Sequence, residues 1–115
     1  MRAIYKICTA EQWTEAQRVG RFTGSEVDRH DGFIHFSTRE QVAESASKHF
    51  GQWRDLMLVV VDANRLGPSL KWESSRGGAL FPHLYAPLDT SAAISVTELP
   101  DGEARGAFLD GLPGR

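Results

Sequence analysis

Two histidines sit in short motifs that mix apolar and polar residues, and these motifs are where this sequence could perform chemistry. Residues 31–38 read DGFIHFST and include His35, while residues 81–85 read FPHLY and include His83. A polar ring held among apolar side chains must find a hydrogen-bond partner, because an unpaired buried polar group is costly. We therefore expect both imidazoles to belong to one polar site.

A third segment, Lys71-Trp72-Glu73, alternates charged and aromatic residues. On a strand, neighbouring side chains point to opposite faces, so Lys71 and Glu73 would share one side and Trp72 the other. A carboxylate beside an imidazole fixes the tautomer of the ring and strengthens it as a base. The pattern predicts a cleft in which His35, His83 and Glu73 are the catalytic candidates.

Several further residues are candidates for binding a ligand rather than transforming it. Tyr85 or Trp72 offers a ring for stacking, and Lys71 would stand on the wall of the cleft. The loop 74–80 contains two consecutive glycines, which favour a mobile lid, and its Arg76 could clamp a phosphate group. An ordinary hairpin-like connection is the alternative for this loop.

Each candidate also has a structural interpretation that the sequence leaves open. His35 could be a half-buried histidine bonded to a backbone carbonyl, and Glu73 a solvated strand residue. Ser37 could serve only as a helix cap. The motif at 81–85 could form a structural corner, because Pro82 fixes its own backbone and extends the residue before it. Rigid loops that carry polar groups are common binding sites, which favours the functional interpretation of this motif.

The composition is that of an ordinary globular domain. Of the 115 residues, 41% are hydrophobic and 24% are charged. The formal net charge of −2 shows no basic face, so nucleic acid is not favoured as a partner. The longest apolar run, residues 56–61, is too short to cross a bilayer, so we expect no membrane partner. The single Cys8 excludes an internal disulfide, which suits a cytoplasmic protein. We expect the partner to be a small-molecule ligand.

Signatures of several common enzyme classes are absent from the sequence. There is no phosphate-binding loop, no dinucleotide-binding glycine fingerprint, no CxxC pair and no GxSxG elbow. His35, His83 and a carboxylate could together bind zinc, which takes three such ligands in catalytic sites. No closely spaced pair of ligands supports this alternative, so we predict no metal.

The local patterns predict strands and helices that alternate along the first part of the chain. Residues 3–8 are rich in strand formers. Thr9 and Gln12 have the spacing of a capping box, and Gly20 would end the helix that they begin. Residues 20–32 combine glycines with mixed charges, which predicts a loop.

The first histidine motif and the residues that follow it predict another strand and another helix. Residues 33–36 form the strand, Ser37 or Thr38 caps the helix, and Gly51 ends it. Helical spacing predicts a buried stripe made of Val42, Ala46, Phe50 and Trp53.

Three more strands are predicted in the remaining chain. The run 56–61 lacks alternation, which is typical of a central strand covered on both faces. Residues 70–73 and 93–99 form the other two, and residues 100–115 form a flexible tail. We therefore expect a single domain, 1–115, of the α+β class, with a small, mixed, mainly antiparallel β-sheet core and two helices.

The two motifs together resemble a bacterial family called domain of unknown function 952. The resemblance rests on GFIH followed by Ser37, on the apolar strand that ends at Asp62, on Trp72-Glu73 and on FPHLY at 81–85. It covers about residues 4–96, and the motifs are specific as a pair. The family has no established activity, so the resemblance implies a fold more directly than a function.

The fold of this family is similar to that of the ADP-ribosyltransferases, which split NAD at the nicotinamide–ribose bond. Those enzymes use an arginine or histidine on the first strand, a Ser-Thr or tyrosine element on the second, and a late catalytic glutamate. Carried over to this sequence, the resemblance implies Lys6, Ser37-Thr38 and Glu73 as the corresponding residues. It also implies an ADP-ribosyltransferase-like fold and makes NAD the candidate cofactor.

Two functional hypotheses follow from these observations. In the first, the protein is a transferase or hydrolase that acts on NAD or a related nucleotide. The histidines would then orient phosphate or ribose, and Glu73 would stabilise an oxocarbenium-like ribose. In the second, the protein is a non-catalytic module that binds a small nucleotide-like ligand or a partner. Binding of NAD followed by release of nicotinamide would favour the first hypothesis. Binding of NAD without release of nicotinamide would favour the second.

Overall fold

The computed structural model describes residues 1–113, apart from the side chain of Arg76. The strands are β1 Ala3–Thr9, β2 Arg21–Phe22, β3 Ile34–His35, β4 Leu56–Asp62, β5 Leu70–Ser74, β6 Leu80–Leu84, β7 Leu88–Asp89 and β8 Ala93–Leu99. The α-helices are α1 Ala10–Val19, α2 Glu26–Asp31, α3 Val42–Phe50 and α4 Glu103–Asp110. The strands pair antiparallel in each of the three sheets, which confirms the predicted α+β class with mainly antiparallel pairing.

The central sheet has the strand order β1-β4-β8, with β4 in the middle. Leu58 packs into one hydrophobic cluster, whereas Val59 and Val61 pack into the other, so both faces of β4 are covered. This burial explains the lack of alternation in the apolar run and confirms the predicted central strand. Cys8 on β1 is also buried, and burial raises the pKa of its thiol to about 12, so it is a core residue.

The second sheet has the strand order β3-β6-β5, and its two faces have different compositions. Ile34, Leu84 and Trp72 pack against one hydrophobic cluster. His35 and His83 are register partners on the neighbouring strands β3 and β6, and alternation directs them to the opposite face. A small third sheet pairs β2 with β7. The second sheet therefore separates a core face from a polar face.

Strand β6 lies in the middle of this sheet although it contains Pro82, which has no N–H for a ladder hydrogen bond. The amide of Phe36 donates to the carbonyl of Pro82 at 3.0 Å, and Pro82 cannot return that bond. The pairing of β3 with β6 therefore stops after His35 and His83. The prediction that the motif at 81–85 forms a corner or rigid loop is wrong, because residues 81–84 belong to strand β6. Pro82 ends the pairing of the neighbouring strand β3 and does not interrupt β6.

Reciprocal side-chain caps define the first two helices. The amide of Gln12 donates to the Thr9 hydroxyl at 3.0 Å, and the Thr9 amide donates to the Gln12 side chain at 2.8 Å, which confirms the predicted box of α1. Ser25 and Asp28 form the same arrangement at the start of α2. The prediction of a loop over residues 20–32 is therefore wrong, because a six-residue helix is too short to show an apolar period.

The third helix begins later than predicted. It is preceded by Gln41, which makes no side-chain cap, so neither Ser37 nor Thr38 is the N-cap. The Ser37 backbone is instead held in an antiparallel bridge with Tyr5 of β1. Its hydroxyl donates to Ser45 Oγ at 2.9 Å inside α3. The strand-like pairing keeps Ser37 outside the helix, although its residue type favours a cap.

The buried stripe of α3 is also shorter than predicted. Val42 and Ala46 are buried, as expected from helical spacing. Trp53, by contrast, is 51% exposed. The helix ends at Gly51, so the backbone no longer carries Trp53 around to the same face.

Helix α4 lies within residues 100–115, the segment predicted as a flexible tail, whose last two residues lie outside the described part of the chain. Leu109 is fully buried, and Arg105 donates to the carbonyls of Phe50 and Trp53 at 2.6 Å each. With α2 and α4, the described residues form four α-helices, so the prediction of two helices is wrong. None of these helices is long and apolar enough to cross a membrane. Flexibility of this segment stays a prediction, as does the single-domain organisation.

Replacing Leu109 with alanine should lower the free energy of unfolding by about 2–4 kcal/mol, because it removes a fully buried side chain and leaves a cavity. Equilibrium denaturation measures this loss. Leu80→Ala is the matched control, since Leu80 is 53% exposed and its truncation should cost roughly 0.5 kcal/mol or less. Equal, small effects of both substitutions would contradict the packing of α4 and favour a flexible tail.

Candidate functional site

The outward face of the β3-β6-β5 sheet brings the two motif histidines side by side. The ring centroids of His35 and His83 are 5.6 Å apart, and the rings are inclined by 66°. The side chain of His35 is 36% exposed, whereas that of His83 is 7% exposed. Strands from distant parts of the chain therefore place one accessible and one covered imidazole next to each other.

Glu73 anchors His83 from the neighbouring strand β5. Nδ1 of His83 lies 2.7 Å from Oε1 of Glu73, and the hydroxyl of Tyr85 donates to the same oxygen at 2.8 Å. The hydrogen bonds from His83 and then Tyr85 lower the pKa of Glu73, while the bond to Glu73 raises the pKa of Tyr85. Glu73 is thus an ionised carboxylate, 38% exposed, that fixes one nitrogen of the covered imidazole.

Two carboxylates flank the ring of His35. Its Nδ1 lies 2.6 Å from Oδ1 of Asp28, and its Nε2 lies 3.0 Å from Oδ2 of Asp31. A hydrogen bond with His30, followed by the charge of His35, lowers the pKa of Asp31. An imidazole donates from both nitrogens only in its protonated form. The surroundings of His35 therefore suit either a protonated ring or a neutral ring that donates to one carboxylate.

Four hydrogen-bond donors surround the buried carboxylate of Asp28. Oδ1 accepts from the ring of His35 at 2.6 Å and from its amide at 3.2 Å, and Oδ2 lies 2.7 Å from Nζ of Lys6 and 2.9 Å from the amide of Ser25. Burial acts to raise the pKa of Asp28, but the bond with His35 and the charge of Lys6 outweigh it and hold that pKa well below its usual range. Lys6, predicted as a ligand-binding residue, therefore reaches the site through Asp28.

An aromatic cluster covers part of the histidine face. Phe33 stacks on His83, with ring centroids 4.1 Å apart and an angle of 25° between the rings. The rings of His35 and Tyr85 are tilted against Phe33, with centroids 4.5 Å and 5.2 Å away. Tyr85 is 42% exposed. The face thus offers ring surfaces on which a flat ligand can stack.

Most residues predicted as one site do lie together in the structure. His35, His83, Glu73 and Tyr85 form the contacts described above. Lys71 is exposed on β5 and is the register partner of His83, so it lies on the same face. The catalytic and binding roles of these residues stay predictions.

Other predicted residues lie behind this face. Trp72 packs against the core, and the guanidinium of Arg2 lies 4.4 Å from the centroid of its ring. Ser37 and Thr38 are both buried, and the Thr38 carbonyl accepts backbone hydrogen bonds from the turn that leads into α3. The side chain of Arg76, predicted to clamp a phosphate, lies outside what the structure describes.

Sequence reasoning missed three residues of the site, namely Asp28, Asp31 and Phe33. Both aspartates lie in the segment 20–32, which the sequence predicted as a loop. A signal for Asp28 was nevertheless present, because it follows Ser25 at the spacing of a capping box and precedes Gly32, where α2 ends. A helix found there would have placed Asp28 just before the first histidine motif.

The structure also contains two clefts that lie away from the histidines. One, of about 300 Å³, lies beside the start of α1 and the end of β8, and the other, of about 310 Å³, lies between α3 and α4. Within residues 1–113, no group of three or more His, Cys, Asp or Glu side chains is arranged to hold a metal ion. The concave pocket predicted around His35 and His83 stays a prediction.

Comparison with known proteins identifies a family and solved structures whose descriptions name no activity. The sequence model of a family described as "Protein of unknown function (DUF952)" matches residues 7–96. The chain is similar to the crystal structure of protein CC0527 from Caulobacter crescentus, with 46% identity, a TM-score of 0.88, and coverage of 94% of this chain and 98% of that one. A solution NMR structure of CC0527 gives 50% identity, a TM-score of 0.80, and coverage of 92% and 90%. No curated protein matches the chain.

Acid should weaken the protein partly through Asp28. Its pKa is depressed in the folded state, so the ionised carboxylate contributes its full stability above the unfolded value of about 4, and this contribution is lost as the pH falls below that value. Asp28→Asn should lower the free energy of unfolding at pH 7 by about 3–5 kcal/mol, because it leaves Lys6 buried without its counter-charge. The difference between this variant and the parent should shrink towards about pH 3.

Denaturant unfolding across this pH range provides the measurement. Glu15→Gln is the control, since Glu15 pairs with Arg18 on the surface and exposed ion pairs contribute little at any pH. A difference between D28N and the parent that stays constant with pH would contradict this account of Asp28.

Proposed function

Because this chain belongs to the DUF952 family of proteins of unknown function, its activity must be argued from the site, and we propose that it is a transferase or hydrolase acting on NAD or a related nucleotide. The observation that carries the proposal is the state of Glu73, an ionised and partly exposed carboxylate fixed by His83 and Tyr85. A carboxylate held in this way stabilises the positive charge that develops on ribose when the bond at its anomeric carbon breaks.

The histidines support this chemistry through orientation and proton transfer. His35 is accessible, so its ring can bind a phosphate or a ribose hydroxyl, or accept a proton from an attacking nucleophile. His83 is held at Nδ1 by Glu73, which leaves Nε2 as the basic nitrogen of the neutral ring. The pair thus supplies the acid–base groups that a transferase or hydrolase requires.

The exposed parts of the face suit the other groups of a nucleotide. Tyr85 and the half-buried Phe33 offer rings for a base or a nicotinamide. Lys71 is exposed beside His83 in register, where its ammonium can pair with a phosphate. Trp72 faces the core, so we assign stacking to Tyr85 instead.

The resemblance to ADP-ribosyltransferases enters this proposal mainly through Glu73, which we assign as the late catalytic glutamate. The other implied residues have structural partners. The hydroxyl of Ser37 bonds to α3, and the ammonium of Lys6 bonds to Asp28. We therefore assign Lys6 and Ser37-Thr38 to supporting the site, with NAD as the candidate cofactor.

A non-catalytic binding module is the second candidate function, and the burial of His83 favours it. Phe33 stacks on this imidazole, which is only 7% exposed. A covered imidazole exchanges protons with a ligand less readily than an open one, whereas the exposed Tyr85 and His35 can still bind. The protein would then hold a nucleotide-like ligand or a partner without transforming it.

Glu73→Gln should separate catalysis from binding. We expect the parent to be stabilised by NAD in a thermal-shift measurement and to release nicotinamide. The Gln variant should keep the shift but release nicotinamide roughly 10²–10³ times more slowly, which is the usual cost of removing one charge-stabilising group. ADP-ribose and nucleoside mono- and diphosphates complete the panel.

Glu98→Gln provides the matched control, because Glu98 is an exposed strand carboxylate on β8 of the other sheet. This variant should behave like the parent. Stabilisation of the parent by NAD without nicotinamide release would favour the binding module. A panel in which no nucleotide stabilises the parent would contradict the enzyme and the nucleotide-binding module, and would leave only a module that binds a partner.

A further inference from the structure

The buried carboxylate behind the histidine face has a role beyond holding the fold. We infer that Asp28 is the positioning residue of the site, which holds neutral His35 as the Nδ1–H tautomer and so leaves Nε2 as its basic atom. The use of this arrangement rests on the proposed function, but the orientation of the ring can be tested without any ligand.

Asp28 fixes both the backbone and the ring of the same residue. Its Oδ1 accepts from the amide of His35 at 3.2 Å and lies 2.6 Å from Nδ1 of that ring. The first contact ties the backbone of β3 to α2, and the second holds the rotation of the imidazole. A single oxygen therefore contacts both the backbone and the ring, and it faces Nδ1.

Asp28 can only accept from His35, because each of its other contacts is also a donor. Oδ2 faces the ammonium of Lys6 at 2.7 Å and the amide of Ser25 at 2.9 Å. The ammonium of Lys6 at this distance keeps Asp28 ionised, and a carboxylate has no hydrogen to donate to Nδ1. Nδ1 of His35 must therefore carry the proton that the 2.6 Å contact shares.

Asp31 is the competing acceptor, and it is the weaker of the two. Its Oδ2 lies 3.0 Å from Nε2 of His35, and its side chain is 38% exposed against 2% for Asp28. Water and salt screen the exposed charge far more than the buried one. The neutral ring therefore keeps its proton on the Asp28 side, and the exposed Asp31 carboxylate must then turn away from Nε2, because two acceptors repel each other at 3.0 Å.

This arrangement holds both neutral histidines as the same tautomer. His83 is held at Nδ1 by Glu73, and His35 is held at Nδ1 by Asp28. A base oriented by a third group at its far nitrogen is the usual design of a proton-transfer site. Asp28 itself is 2% exposed, so it acts on a substrate only through His35.

Long-range nitrogen–proton NMR of the labelled protein tests the inference directly. The spectrum reports which ring nitrogen carries the proton, and it is recorded at a pH at which the imidazoles are neutral. The chain has four histidines, and single His→Ala variants assign their signals. We expect His35 as the Nδ1–H tautomer in the parent. An Nε2–H tautomer there would overturn the inference.

Two isosteric variants identify which carboxylate is responsible. Asp28→Asn should move most of the His35 population to the Nε2–H tautomer. In this variant Asp31 is the only one of the two flanking residues that is still charged. His83 should stay Nδ1–H in the same sample, since Glu73 holds it. Asp31→Asn should leave His35 unchanged. A D28N spectrum like that of the parent, or a changed tautomer in D31N, would show that Asp28 does not position the ring.

The outcomes separate this inference from the proposed function. If D28N does not fold, the parent spectrum and D31N still decide, because Asp31 is exposed and its substitution is tolerated on the surface. Tautomers that behave as expected, in a protein that no nucleotide stabilises, would keep Asp28 as the positioning residue and remove the proposed function. If the parent releases nicotinamide but the tautomer of His35 is unaltered in D28N, the proposed function is kept and Asp28 is not the positioning residue.

Discussion

The buried contact between Lys6 and Asp28 is the interaction on which the geometry of the site depends. It joins β1 of the central sheet to α2, and through His35 it joins both to the second sheet. Two charges in the interior are tolerated only when their remaining donors and acceptors are paired. Displacing β1, α2 or β3 would therefore leave a charge without a partner. The pair is weak evidence for high stability, but it strongly restricts how these three elements can be arranged.

The second sheet shows how a small domain can build both a core and a polar face from the same strands. Alternation sends Ile34 and Leu84 inward, and it sends His35 and His83 outward. Each outward residue is attached to a backbone that packs on the core with its other side. Pro82 ends the pairing of β3 at the residue that carries the accessible imidazole.

The strongest sequence signals were a long unbroken apolar run and the two short histidine motifs. The unbroken apolar run predicted β4, and the shared environment of His35 and His83 predicted their proximity, which the register of β3 and β6 explains. The capping-box spacing could have placed Asp28 on a helix, but its contacts with Lys6 and His35 depend on tertiary folding and not on neighbouring sequence. Ser37 was misplaced for a similar reason, since a bridge to β1 overrides its tendency to cap a helix.

The glycine-rich composition of the last segment concealed α4, because glycine lowers helix propensity and the helix is only eight residues long. Its packing comes from contacts with distant residues. Leu109 lies in the core cluster beneath α3, and Arg105 binds the carbonyls at the end of that helix. Such contacts are long-range in sequence, so no local window contains them.

The stacking of Phe33 on His83 has a consequence for any flat ligand that would stack on His83 itself and not on the exposed Tyr85. While Phe33 occupies that ring face, a competing ring cannot, so only the fraction of molecules with Phe33 displaced is competent there. The apparent affinity is the intrinsic affinity multiplied by that fraction. A ligand ring that restores the lost stacking recovers about 0.5–1.5 kcal/mol, whereas a ligand without a ring recovers none. On that face of His83, Phe33 would thus favour an aromatic ligand over one that has no ring.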